Sequence, residues 1–200
     1  MSLLDYVKSS NIEKISLYCE MITKGELKKE DMLCSEMKDK YGRTVLHEAC
    51  YGKLEIMKLL IITGNLQKED IMMKDNYGKT ALHIASSNGR LEIVKLLIEH
   101  GNLQKEDILP LHSSEMKYDY YKQTALIGPI LYGHSEIVKL LIIKCNLQKN
   151  DILLLYSKIK ENYNYYGYSM TSTQSLKQLF NEILFNIDIN DMIKEIMVKL

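Results

Sequence analysis

Five histidines and four cysteines are the residues of this sequence best suited to chemistry, so their spacing is the first question. His47, His83, His100, His112 and His134 lie far apart. None belongs to an HExxH pair, and none stands beside carboxylates at metal-ligand spacing. Cys19, Cys34, Cys50 and Cys145 form no CxxC pair, which argues against a zinc site. Cys50 falls where a small core residue belongs, so burial explains it better than reactivity. His100 and His134 fall at helix ends or turns, where a dipole or capping contact accounts for them. His112 lies in a polar insert and is expected to be exposed. Glu69 and Asp70, beside Lys68, read as a solvated mixed-charge loop. The sequence contains no phosphate-cradling loop, no GxGxxG and no GxSxG nucleophile elbow. No catalytic, cofactor-binding or metal-ligating residue is therefore expected, and no enzyme activity.

Composition narrows the classes further. The 200 residues carry 26 Lys plus Arg against 26 Asp plus Glu, a net charge of zero without a long one-sign block. A dedicated nucleic-acid binder would show a basic excess, and a membrane anchor a polybasic run. The longest apolar runs, Leu59 to Ile62 and Ile152 to Tyr156, are too short to span a bilayer, and the N-terminus does not read as a signal peptide. The expectation is an intracellular, cytoplasmic protein, a nuclear location also being compatible, with reduced thiols and a monomeric state.

The elements that would position any site come from a repeat. DKYGRTVLHEACYGKLEIMKLLIITGNLQKEDI runs from Asp39 to Ile71, DNYGKTALHIASSNGRLEIVKLLIEHGNLQKEDI from Asp75 to Ile108, and DYYKQTALIGPILYGHSEIVKLLIIKCNLQKNDI from Asp119 to Ile152. In each, Asp-x-Tyr or Asp-Tyr-Tyr opens a turn, aided in the first two by Gly42 and Gly78. Thr44, Thr80 and Thr124 stand at helix N-caps. A short helix follows, with Leu46, Ala49 and Cys50, then Leu82, Ala85 and Ser86, on one face. Gly52, Gly89 and Gly133 end it. A longer helix places Ile56, Leu59 and Leu60; Ile93, Leu96 and Leu97; and Ile137, Leu140 and Leu141 on a buried face. Neither helix can bury its face alone, so the units must stack.

TVLHEA at Thr44 to Ala49, TALHIA at Thr80 to Ala85 and NGRLEIVKLLIEHG at Asn88 to Gly101 resemble the signature of ankyrin repeats, whose period is roughly 33 residues. The resemblance covers Asp39 to Ile152. It implies an all-α solenoid of stacked helix-turn-helix pairs, here with extended connections between repeats. It gives His47 and His83 a structural role, bonding backbone between repeats. The expected organisation is a degenerate N-terminal capping repeat at 1–38, ankyrin repeats at 39–74 and 75–118, a divergent one at 119–156, and a Tyr-rich loop with a C-terminal helical cap at 157–200. Asn11 to Gly25 reads as the second helix of the first cap, and Ser172 to Phe185 and Ile189 to Leu200 as helices of the last.

Four features depart from the family pattern. The connections carry a recurring LQKEDI, LQKEDI, LQKNDI, with LKKEDM near the start. A short helical turn is predicted there, with Leu66, Ile71, Leu103 and Ile108 packing inward; the competing reading is a duplicated binding loop. The first repeat is one residue shorter between Thr44 and Gly52 than the second between Thr80 and Gly89, so its helix or turn must be tighter. The third has Ile127 in place of the motif His and Pro129 beyond the first turn of a helix capped by Thr124, which predicts a bent or shortened helix. Tyrosines cluster around it, at Tyr118, Tyr120 and Tyr121 and from Tyr163 to Tyr168.

The resemblance implies protein–protein recognition, with another protein as partner, through turn tips and short helices that form a concave surface. The residues expected to meet the partner are Tyr41 and Arg43, Tyr77 and Lys79, and Tyr120, Tyr121 and Lys122, because Tyr and Arg are enriched at interface hot spots. For Tyr41 and Tyr77, packing on the neighbouring turn competes with binding. The basic neighbours point towards acidic partners. A scaffold is the main expectation; an inhibitor or substrate-recruiting adaptor acting on one enzyme is the alternative. An enzyme with an unrecognised site in the divergent region ranks last.

Overall fold

A computed structural model of the chain describes residues 2–28, 31, 38–109, 124–155 and 181. All regular structure among them is helical. Helix α1 (Leu3–Lys8) and α2 (Ile12–Thr23) form the first pair. Next come α3 (Val45–Ala49) and α4 (Leu54–Lys58), which continues with π-type bonding through Leu59–Thr63. After α5 (Lys68–Ile71) the pattern repeats as α6 (Ala81–Ser87), α7 (Leu91–Gly101) and α8 (Lys105–Ile108). The third unit is α9 (Ile127–Leu131) and α10 (Ser135–Lys144), followed by a helical stretch at 149–155.

The short helices stack in one row, α1 on α3, α3 on α6 and α6 on α9. The longer helices form a second row, α2 on the π segment, α4 on α7 and α7 on α10. A third row exists as well: the insert helix α5 packs on α7. Leu66, Ile71, Leu103 and Ile108 are all buried, as are Leu147 and Ile152 in the third copy. The recurring insert is thus a structural element.

This third row changes the buried face of the longer helices. Ile56, Leu60, Ile93, Leu97, Ile137 and Leu141 are buried as the spacing predicts, but Leu59, Leu96 and Leu140 are only partly covered. Met57, Val94 and Val138, with Ile61, Ile98 and Ile142, are buried instead. A helix covered by short helices on one side and by inserts on the other hides a wider stripe than one covered on a single side. At about 1.5–3 kcal/mol for each large apolar side chain, this stripe is a main source of stability.

Each row is tied across repeats by polar contacts. Thr44 N–H donates to His47 Nδ1 at 3.1 Å, so Nε2 carries the ring proton and donates to the Lys79 carbonyl in the next repeat at 3.0 Å. Burial, partly offset by that bond, holds the His47 imidazole below its ordinary pKa. Lys53 Nζ donates to the Val7 and Lys8 carbonyls at the end of α1, at 2.7 and 3.1 Å. His134 Nε2 meets the Ser87 carbonyl at the end of α6 at 3.1 Å. Both bring a side-chain donor to carbonyls at helix C-termini.

Two expectations about the short helices change. Thr44 and Thr80 are N-caps, each closing a box with the histidine three residues on. Thr124 is not; the cap of α9 is Leu126, whose N–H donates to Thr124 Oγ1. Starting later puts Pro129 at the third helical position, where a backbone donor has no intrahelical acceptor anyway. The helix is shortened to five residues, and proline sits in its first turn without breaking a bond. Gly128 lets α9 approach α6, since a Cβ there would collide with Ser87 Oγ. The first repeat absorbs its missing residue in a five-residue α3, against seven in α6. The helices expected at 172–185 and 189–200 lie outside the described residues. Among the described residues, no helix is long and apolar enough to cross a membrane.

Candidate partner-binding surface

The turn tips are built by aspartate. Asp39 Oδ1 accepts from the N–H groups of Tyr41 and Arg43, both at 2.9 Å. Asp75 Oδ1 accepts from Tyr77 and Lys79 in the same way, again at 2.9 Å. Each turn is closed by a backbone pair, Asp39 N–H to Arg43 O and Asp75 N–H to Lys79 O. Successive turns are then bonded together, with Asn76 N–H donating to Tyr41 O at 2.9 Å. Gly42 has a φ of +73°, and a side chain there would run into Asn76 Oδ1, so only glycine lets the turns approach this closely.

This geometry stacks Tyr41 and Tyr77. Their ring centroids lie 6.2 Å apart at a 36° tilt, within the favourable range for aromatic pairs. Yet Tyr41 remains 37% exposed and Tyr77 47%. The two readings of these residues are therefore compatible: each ring packs on its neighbour and also offers a face to solvent. Lys40 Nζ lies 4.9 Å from the Tyr41 ring centre.

Arg43 has a mixed position. Its Nε is 3.7 Å from Asp75 Oδ2, and the Asp75 side chain is fully buried. The guanidinium also lies 5.3 Å from the Tyr41 ring and 5.9 Å from that of Tyr51. Arg43 thus couples the two tips and the end of α3, with a quarter of its side chain left exposed. Lys79 is exposed. Tyr120, Tyr121 and Lys122 lie outside the described residues. Tyr51 was not singled out by sequence reasoning, nor was Tyr132, which occupies the corresponding position before Gly133 and is also exposed. The signal was present: in both, a tyrosine directly precedes the glycine that ends a short helix.

The inserts are arranged differently. Asn65, Asn102 and Asn146 take left-handed φ values of +49°, +44° and +49°. Gln67, Gln104 and Gln148 reach back through Nε2 to those asparagines, at 3.0 to 3.2 Å. Each Gln N–H donates to the Asp three residues on, Asp70, Asp107 or Asp151, at 2.7 to 2.8 Å. Lysine joins consecutive copies: Lys68 Nζ to Asp107 Oδ2 at 2.6 Å, and Lys105 Nζ to Asp151 Oδ1 at 2.8 Å. Asp70 and Lys68, first read as members of a solvated loop, are thus a helix cap and an inter-repeat strut. Glu69, Glu106 and Asn150 are exposed, and theirs is the position at which the LQKEDI text varies among these three copies.

The described cysteines are all buried. Burial pushes the thiols of Cys19 and Cys145 up to about 11, and that of Cys50 higher still. All three are protonated at neutral pH, and Cys50 Sγ–H donates to the Ala81 carbonyl of the next repeat at 3.1 Å.

Two family models describing ankyrin repeats match the chain, one over residues 35–85 and the other over 65–151. Together they span 35–151, more than half of the sequence, and the chain belongs to the ankyrin-repeat family. No curated protein matches it. Among solved structures, one showing the yeast ribosomal protein Rps3 in complex with its chaperone Yar1 is similar, with a TM-score of 0.53 and 20% sequence identity. That match covers 73% of this chain and 92% of the other, and it is a likeness of fold.

Proposed function

We propose that this chain is a protein-recognition module that holds a partner protein against its turn tips and the adjoining ends of its short helices. The observation that carries this reading is the Tyr41–Tyr77 pair. The rings are held rigidly by bonded turns yet remain more than a third exposed. Rigid, part-exposed tyrosines supply contact area at low entropic cost, which is why they anchor interfaces. The family is one of interaction modules, and the similar yeast structure is a complex between two proteins. Tyr51, Lys79 and the outward part of Arg43 extend the surface; Tyr120, Tyr121 and Lys122 continue it on sequence grounds. The units are an N-terminal cap at 1–38, repeats at 39–74, 75–118 and 119–156, and a C-terminal cap at 157–200. Buried, protonated thiols suit a reducing intracellular compartment.

The test is affinity capture with the wild-type protein beside a Tyr41→Ser, Tyr77→Ser, Tyr121→Ser variant, with folding checked by circular dichroism. Loss of at least one specific partner at unchanged helicity supports the reading. Retention of every captured protein by the folded variant would overturn it.

A further inference from the structure

We infer that the partner's contact region is an acidic peptide segment lying across the tips of the first two repeats; this rests on the reading of those tips as the binding surface. The chain as a whole is neutral, with 26 basic and 26 acidic residues. The tips are not. Residues 38–53 and 74–90 hold seven Lys or Arg and only three acidic residues, Asp39, Glu48 and Asp75.

All three acids are engaged by the fold. Asp39 Oδ1 is bound by two backbone N–H groups of its own turn. Asp75 is fully buried, bound by two more and facing Arg43. Glu48 is drawn to Lys53 at 3.4 Å. Lys40, Lys74 and Lys79, by contrast, are exposed. The fold thus buries Asp75, ties Asp39 Oδ1 into its own turn and pairs Glu48 with Lys53, which leaves an excess of cations facing outward. Such a patch attracts an acidic partner and excludes basic ones.

The tyrosines narrow the chemistry. The Tyr41 ring lies against Lys40 and Arg43, Tyr51 against Arg43 and Tyr77 beside Tyr41, giving a surface where acidic side chains can meet cationic groups while neighbouring apolar ones lie on the rings. Three exposed lysines on two turns supply fewer cations than the roughly six to ten phosphate contacts of a strongly salt-dependent nucleic-acid binder.

The experiment is selection from a random displayed-peptide library on the full-length protein, followed by affinity measurement with a synthetic recovered peptide. Recovered sequences should be enriched in Asp and Glu. Lys40→Glu with Lys79→Glu should weaken the peptide by about tenfold or more, and the Gln pair by less. Replacing the peptide's Asp and Glu by Asn and Gln should weaken it on wild type alike.

The inference is overturned if recovered peptides show no acidic excess, if none is recovered, or if charge reversal leaves affinity within about twofold. It is overturned too if a single-stranded oligonucleotide binds as tightly as the peptide. Binding lost in Tyr41→Ser with Tyr77→Ser but not on charge reversal would keep the surface and remove the acidic preference. Binding unmoved by either pair would remove both.

Discussion

The turn tips and the inserts are built from the same device, and they use it to opposite ends. In both, an aspartate carboxylate accepts backbone N–H groups and fixes a tight local shape. In the inserts, lysine then reaches the next copy's aspartate, so the charges are neutralised within the solenoid. At the tips, Asp75 is buried and Asp39 is bonded within its own turn, while Lys40, Lys74, Lys79 and the rings of Tyr41 and Tyr77 are exposed. The difference explains why the insert text recurs almost unchanged. Every rung must present an Asp to the lysine before it and a Lys to the aspartate after it. A tip matches its neighbour through Gly42, Asn76, the Arg43–Asp75 pair and the Tyr41–Tyr77 rings, while Lys40, Lys74 and Lys79 are exposed.

Substitutions can break or sharpen this contrast. The largest stability loss should come from Leu66→Ala, which empties a fully buried insert position and should cost about 3 kcal/mol in urea unfolding. A loss below about 0.5 kcal/mol would mean that the inserts are not part of the core. Asp107→Ala removes a helix cap and a part-buried ion pair together and should cost about 2 kcal/mol. Partner binding should survive it; loss of binding there with the fold intact would move function towards the inserts.

A change of pH acts on the rows joined by His47. Its pKa is lowered by burial, so below the ordinary value of 6.5 the unfolded chain takes up a proton that the folded one refuses. Its contribution is therefore fully present above that value and is lost as pH falls through the lowered folded value. Thermal midpoints should drop as pH falls below 6.5, and the drop should shrink in His47→Asn. An equal drop in the variant would assign the pH dependence to other groups. The smallest stability effect should come from Tyr41→Ser with Tyr77→Ser, about 1 kcal/mol for a part-exposed aromatic pair, although these residues are proposed to matter most for binding. A loss as large as that of Leu66→Ala would make the tyrosines packing residues first.

Much of this was legible in the text because it is local and repeated. Thr44 and Thr80 before a histidine-bearing helix, glycine after it and a leucine and an isoleucine at the two ends of the insert are read over a few residues, and the structure places them accordingly. Thr124 misled because its helix starts two residues later, a shift that accommodates Pro129. Helix α1 went unread: it is six residues long, and Ser10, with φ +57°, stands where the later repeats have glycine. Met57, Val94 and Val138 were missed because their burial depends on a third row of helices that periodicity along one helix does not reveal.

The sequence alone determined the repeat, the helical class, the caps at Thr44 and Thr80 and the insert turn, since each depends on neighbours a few residues away. Only the tertiary structure decided which charges remain available. Asp75, Lys68 and Arg43 look like ordinary surface residues in the sequence. Asp75 shapes its own turn locally, but it becomes the buried partner of Arg43, and Lys68 a strut, only when a repeat more than thirty residues away supplies the opposite charge. A recurring Lys or Asp in the text does not say which copy it pairs with, and the lysines and tyrosines left outside such pairs define the surface.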